Sequence, residues 1–187
     1  MSRPPLSLKA RAIALLAQRE HSATELRRKL MRVVRKRDLD VAAAAASAAT
    51  ATAFGAGAET DDADEEDSSS SSTIKAAEEV DALLVWLQAQ GYLDEARFVE
   101  SRIHTRAARH GNLRIKQELA QHGLALDASQ AQALKDSEFE RAKQIWQRKF
   151  GGPAADRSAQ AKQMRFLAGR GFSADVVRRL LRNPDGE

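Results

Sequence analysis

Apolar residues recur along much of the chain at the three- and four-residue intervals that put them on one face of an α-helix. Leu8, Ala12, Leu15 and Leu16 make one such face, and Leu26, Leu30, Val33 and Val34 repeat it after a break at His21-Ser22. Ser22 and Glu25 stand there as a capping box, the hydroxyl taking an amide at the helix start and the carboxylate reaching back. Val80, Leu83, Leu84 and Leu87 predict a third helix over about 75–90 that stops at Gly91, a residue suited to a left-handed C-cap. Between the second and third helices the periodicity fails. From Asp38 to about Thr73 run an Ala/Thr/Ser stretch, Gly55-Ala56-Gly57, the acidic run Asp61-Asp62-Ala63-Asp64-Glu65-Glu66-Asp67, and Ser68 to Ser72. A stretch so poor in periodic apolar residues cannot offset its ordering entropy, so it is read as a disordered insertion, about 38–74, whose Ala-rich start has transient helical propensity.

The punctuation continues after Gly91. Asp94 opens a helix bearing Ala96, Val99, Ile103 and Ala107; Gly111-Asn112 breaks it before a short helix with Ile115 and Leu119 that ends at Gly123. Asp127 with Gln130 opens another short helix, and Ser137 with Glu140 forms a further capping box ahead of Phe139, Ala142, Trp146 and Phe150. Gly151-Gly152-Pro153 closes that helix. Asp156 or Ser158 starts the next, with Met164 and Leu167 and a stop at Gly171, and Ser173 caps a last helix with Val177, Leu180 and Leu181. Nine helices fall into three triplets: residues 1–93 with the insertion, 94–136, and 137–187. Residues 114–123 and 162–171 align without gaps, each with Leu four positions before a helix-ending Gly. One triplet buries little alone, so the expected fold is all-α: three tandem three-helix repeats stacked into an elongated, curved solenoid.

Composition supports the helices and narrows the chemistry. Of 187 residues 43% are hydrophobic but only 5% aromatic, and Ala, Leu, Arg, Gln, Glu and Lys dominate, which disfavours sheet. The absence of Cys removes disulfides, thiolate nucleophiles and Cys-containing zinc sites. Charged residues interrupt the first twenty positions, so no secretory core and no membrane span is expected, and the expected compartment is the cytoplasm. Charge is unevenly spread: residues 1–37 carry 11 basic and 2 acidic side chains, 38–81 carry 1 and 12, and 82–187 carry 18 and 12. The flanking parts suit phosphate backbones or acidic proteins, with binding that weakens as salt rises.

No catalytic constellation is visible. His21, His104, His110 and His122 lack the i, i+3 or i, i+4 spacing of helical metal ligands and read as surface or cap residues. The glycines form no phosphate-cradling loop, there is no serine nucleophile elbow, and the acidic run lacks the fixed geometry a metal site needs. Trp86 and Trp146 fall at or beside apolar helical positions and read as core, while Tyr92 and Phe98 flank a helix start as staples. No cofactor is expected. The basic residues are more informative: Arg27, Arg28, Arg32, Arg35 and Lys36 crowd one helix, Arg102, Arg106 and Arg109 make a stripe, and Arg178, Arg179 and Arg182 repeat it in the last helix.

Three segments are recognisable together: Ser22-Ala23-Thr24-Glu25-Leu26-Arg27-Arg28-Lys29-Leu30, Gly91-Tyr92-Leu93-Asp94-Glu95-Ala96-Arg97-Phe98, and Met164-Arg165-Phe166-Leu167-Ala168-Gly169-Arg170-Gly171-Phe172-Ser173. They resemble the RecX regulatory family over about residues 8–36 and 75–182; the acidic, Ser-rich insertion is a departure that bears on local structure. The resemblance implies a non-enzymatic, monomeric protein of three helix triplets that lies in the groove of a RecA filament on DNA and damps its ATPase, strand exchange and co-protease activities in DNA repair, recombination and the SOS response. Single- and double-stranded DNA are then weaker, salt-sensitive partners, and no membrane is involved. Candidate contacts are Arg102, Arg106, Arg109, Arg114 and Lys116 in the middle triplet, Arg165, Arg170, Arg178 and Arg179 in the last, and Arg27, Arg28 and Arg32 in the first. The competing reading is a helix-turn-helix DNA-binding regulator, which would prefer a particular duplex sequence. A hydrolase or nuclease built on the acidic run is poorly supported, because low-complexity chain cannot be preorganised.

Overall fold

The structure, a computed structural model, describes residues 6–52 and 65–184, with side chains for 6–47 and 71–184. Eight helices follow in chain order: α1 Leu8–Leu16, α2 Ala23–Thr52, α3 Glu65–Ala89, α4 Glu95–Ala107, α5 Asn112–Ala120, α6 Ala128–Phe150, α7 Arg157–Gly169 and α8 Ala174–Arg182. There is no strand among the described residues, so the all-α expectation holds. They form two compact units, Met1–Asp94 and Glu95–Glu187.

In the first unit the apolar stripes meet as their spacing requires. Ser7 Oγ caps α1 by accepting from Ala10 N–H at 3.2 Å, and Ser22 Oγ accepts from Glu25 N–H at 3.1 Å at the start of α2. Ala12, Leu26, Leu30, Val34, Ala76, Val80, Leu84, Leu87 and Leu93 form one core. Each fully buried leucine there contributes about 1.5–3 kcal/mol. Arg27 grips Asp81 across the two long helices, Nε to Oδ1 at 2.6 Å and Nη2 to Oδ2 at 2.9 Å. Of the stretch 38–74 read as disordered, both ends are helical here: α2 runs to Thr52 and α3 begins at Glu65, while residues 53–64 lie outside the described residues. Alanine has the highest helix propensity, so a helix already anchored by Leu30 and Val34 carries on through Ala42–Ala46. Every described side chain from Leu39 to Lys75 is nonetheless exposed, so this part of the pair adds length but no core.

The second unit has two cores joined by one helix. Phe98, Val99, Ile115, Leu119 and Leu134 fill the first; Ala142, Ile145, Trp146, Leu167, Phe172, Val177 and Leu180 fill the second. Helix α6 supplies residues to both. The nine expected helices are therefore eight among the described residues, and the Ser137/Glu140 capping box is a correction. The Asp127–Gln130 box does form at the start of α6, but nothing between Ala128 and Asp136 breaks a helix. Ser137 lies mid-helix, its Oγ donating to the Ala133 carbonyl at 2.9 Å. Trp146, 2% exposed, is core as expected and donates its indole N–H to Gln163 Oε1 at 2.9 Å. Ala96, expected inward, is exposed, and Phe98 takes the interior position beside Val99.

A buried polar joint lies where the two cores meet. Glu138, 3% exposed, projects from α6 and accepts from Asn112 N–H at 3.0 Å, Ser173 N–H at 3.2 Å and Ser173 Oγ at 3.0 Å. One carboxylate thus satisfies orphan amides at the starts of α5 and α8 and lies at the positive ends of both helix dipoles. Ser173 was expected to cap α8 with its own hydroxyl; that hydroxyl is given to Glu138 instead. One helical turn on, Arg141 donates to the carbonyls of Ala107 at 3.2 Å, His110 at 2.8 Å and Leu134 at 2.9 Å and to Asn112 Oδ1 at 2.6 Å. Backbone closes the joint: Gly111 N–H donates to the Arg170 carbonyl and Leu113 N–H to the Gly171 carbonyl, both at 3.0 Å. A Cβ on Gly111 would overlap Gly171 and Phe172 backbone atoms, and Gly171 itself sits at φ +83° against Arg114.

Candidate basic interface

Several of the cations that the sequence grouped have partners of their own in the structure. In α4 the Arg102 guanidinium lies over the Phe98 ring, 5.0 Å from its centroid. Arg106 Nε is 2.8 Å from Glu118 Oε2, and Arg114 Nε is 3.6 Å from the other oxygen. Glu118 therefore neutralises part of the expected middle stripe. Arg27 is held by Asp81, Arg178 pairs with Asp175, and Arg179 covers Phe139 at 4.7 Å. Arg28, Arg32, Lys116 and Arg165 are exposed. Each unit thus holds both paired and exposed candidates.

Two of them, Arg109 and Arg170, converge with cations that the sequence reading passed over. A cavity of about 150 Å³ is lined by Ala108, Arg109, Ile145, Arg148, Lys149, Phe166 and Arg170, with no carboxylate in its wall. Helices dictate the convergence: Arg148 and Lys149 follow Ile145 by three and four residues, so they emerge on the rim above that core side chain. Arg170 is held in place, its Nη1 donating to the Arg109 carbonyl at 3.0 Å and its guanidinium lying 4.7 Å from the Phe166 centroid. Phe166 is in turn braced edge-on by Phe150, with centroids 5.2 Å apart. None of the four cations has a carboxylate partner among the described residues. Sequence reasoning missed Arg148 and Lys149 because they end a helix valued only for its apolar face. Two adjacent cations before Gly151 were the available signal.

Known proteins are similar in sequence over almost the whole chain. The RecX second three-helix domain matches residues 94–131 and the RecX third three-helix domain matches 136–181. Regulatory protein RecX of Ralstonia nicotianae is 38% identical over 99% of this chain and 92% of its own length. The chain belongs to the RecX family. Regulatory protein RecX of Leptothrix cholodnii is 41% identical, covering all of this chain and 94% of that protein, and that of Pseudomonas putida is 37% identical over 97% and 93%. The two RecX domain matches cover α4 to the first part of α6 and then the rest of α6 to α8, so the cavity draws Arg109 from one and Arg148, Lys149 and Arg170 from the other.

Other features of this RecX chain are structural. His21, read as a surface or cap residue, is instead 1% exposed, with Nδ1 3.2 Å from Glu25 Oε2. Burial draws His21 below its ordinary pKa against the pull of Glu25. Burial would raise Glu25, but hydrogen bonds from Arg19 and His21 override it and hold the carboxyl at about 2. Burial likewise lowers His110. Among the described residues no three His, Asp or Glu side chains are grouped to hold a metal, and no helix is long and apolar enough to cross a membrane.

Proposed function

We propose that this chain is a non-catalytic regulator that binds the assembled RecA–DNA filament and lowers its ATPase, strand-exchange and co-protease activities, which would place it in the cytoplasm. Membership of a family whose relatives are named regulatory proteins gives the direction. The observation that carries the reading is the carboxylate-free convergence of Arg109, in the turn after α4, Arg148 and Lys149, near the end of α6, and Arg170, just past the end of α7. Four cations around one cavity repel each other, and a polyanionic partner relieves that repulsion while releasing its condensed counterions. A filament on DNA offers such a partner repeatedly along its length. Arg165 and Lys116 are further exposed cations on the same unit.

The test is ATP hydrolysis by preassembled RecA filaments at fixed physiological salt, titrated with this protein and, in parallel, with a charge-matched basic helical protein. Filament binding should reduce hydrolysis well below one molecule per RecA, because one bound molecule engages neighbouring subunits. Coating of the strand needs full coverage and is relieved by excess DNA. Equal inhibition by the control at equal DNA coverage would refute the proposal, and a marked preference for one duplex sequence would favour a helix-turn-helix regulator instead.

A further inference from the structure

We infer that the groove where α2 continues past the start of α1 is a docking site for an acidic, amphipathic helix of a partner protein. It lies wholly within the first unit and goes beyond the proposed function, which rests on cations of the second. The groove has a volume of about 650 Å³. Leu6 and Leu8 stand on one side of it, and Val33, Val41 and Ala44 on the other. The pattern along α2 explains why it is apolar. Leu30, Val34, Arg37, Val41 and Ala44 recur at alternating four- and three-residue intervals, so they share one stripe of the helix. Leu30 and Val34 bury that stripe in the first core, but Val41 is 63% exposed, and Leu6, just ahead of α1, is 60% exposed. A helix-pairing seam thus runs on beyond its partner. From Val33 to Ala44 it follows α2 for about 16 Å, the length of about three helical turns.

Charge on the rim selects the occupant. Arg11, Lys36 and Arg37 edge the groove against one carboxylate, Asp40. Arg37 is engaged by Asp38 and Glu79, both at 3.3 Å, whereas Arg11 and Lys36 have no carboxylate within ion-pair distance among the described residues. A helix with aliphatic side chains along one face and Asp or Glu beside them buries the floor and pairs these two cations. Other occupants fit less well. A second copy presenting the same face sets cations against cations, and the chain's own first five residues carry Arg3 and no carboxylate. Nucleic acid would meet the cations, but no aromatic side chain lines the groove for a base to stack on. Aliphatic side chains gathered in one exposed concavity mark a contact surface, whereas a single exposed leucine such as Leu39 is ordinary.

The test uses the full-length protein and two fluorescent helical peptides of about fourteen residues, long enough to span the groove. Both carry Leu at three- and four-residue intervals; one has Glu at the flanking positions and the other Lys. Val41→Asp acts on the groove itself. Leu39→Asp adds the same charge two residues away, at a leucine that is 69% exposed and does not line the groove. Both variants should melt like wild type by circular dichroism, because both side chains are exposed. Anisotropy should show the Glu peptide binding wild type at least about tenfold more tightly than the Lys peptide. Val41→Asp should weaken the Glu peptide about tenfold or more, the worth of one buried aliphatic side chain, and Leu39→Asp less than about threefold. Arg11→Glu with Lys36→Glu should reverse the preference between the peptides.

Equal binding of the two peptides, or equal losses in the two aspartate variants, would overturn the site and leave only non-specific adhesion. So would a Glu peptide that fails to saturate the protein by about 1 mM. A wild-type dimer in sedimentation that Val41→Asp dissolves would overturn it in favour of a second copy. Oligothymidylate affinity that falls in Val41→Asp while Glu-peptide affinity holds would overturn it in favour of nucleic acid.

Discussion

Replacing Glu138 with alanine should cost the second unit about 3–5 kcal/mol, while glutamine should cost about 1–2 kcal/mol. The difference follows from what the carboxylate holds. It accepts three hydrogen bonds, from Asn112 N–H, Ser173 N–H and Ser173 Oγ, in a position 3% exposed to solvent. A charge-assisted bond nets about 1.5–3 kcal/mol, and two of the three end on one serine, so they do not add fully. Alanine leaves two helix-start amides without an acceptor and removes a countercharge to half-buried Arg141. Glutamine keeps Oε1 for both amides, and its NH₂ donates to a rotated Ser173 hydroxyl, so it loses charge but few bonds. In a unit of this size 1 kcal/mol corresponds to about 4–8 °C, so alanine should lower Tm by at least about 10 °C. The assay is denaturation followed by fluorescence in a Trp86→Phe background, where Trp146 reports the second unit alone. The reasoning is wrong if alanine stays within about 0.5 kcal/mol of wild type, or if glutamine is as damaging as alanine.

Three further outcomes are expected. Acid should destabilise the first unit in two stages of the same sign: the lowered pKa of His21 gives stability that is full above the unfolded value near 6.5 and declines as pH falls below it, and Glu25, at about 2 against 4.5 unfolded, gives stability lost between those values. With Arg19 about half exposed the Glu25 contribution is discounted to about 2 kcal/mol, and Glu25→Gln should flatten the lower stage in a pH series of urea melts. Gly111→Ala should cost about 2–4 kcal/mol, because the added Cβ meets Gly171 and Phe172 backbone rather than a side chain that can swing away; an unchanged melting curve would contradict that packing. Replacing residues 40 to 72 with a short Gly/Ser linker should reduce far-UV ellipticity yet leave Tm within a few degrees, since every described side chain from Leu39 to Lys75 is exposed; a large fall in Tm would show that the segment packs.

Helix positions and most core residues were legible because one signal, apolar spacing punctuated by glycine, carries both. Gly91, Gly123 and Gly171 all adopt positive φ, and each follows by four residues a buried leucine, Leu87, Leu119 or Leu167. The residue after each glycine, Tyr92, Leu124 or Phe172, donates its N–H back to that leucine's carbonyl. What was not legible depends on distance along the chain. Ser137-x-x-Glu140 has the letters of a cap, but a cap forms only where the preceding residues leave the helix, and residues 128–136 do not. Glu138 reads as an ordinary polar position in α6 until α5 and α8 deliver their amides to it from 26 and 35 residues away. The surroundings of the basic residues were illegible for the same reason: spacing groups Arg102, Arg106 and Arg109, but it does not reveal that α4 ends at Ala107, that Glu118 arrives beside Arg106 or that Arg148 and Lys149 gather with Arg109.

Sharing α6 between two cores also constrains how a chain of this kind can be remodelled in evolution. Beaded repeats joined by linkers gain or lose members by recombination at the joins, since each cut falls in expendable chain. Here residues 136 and 137 lie inside a helix whose first half completes the core containing Phe98 and whose second half completes the core containing Trp146. A crossover there severs the helix and strands an apolar face on each side. The second and third triplets are therefore expected to be gained or lost together, since a cut between them unmakes both cores.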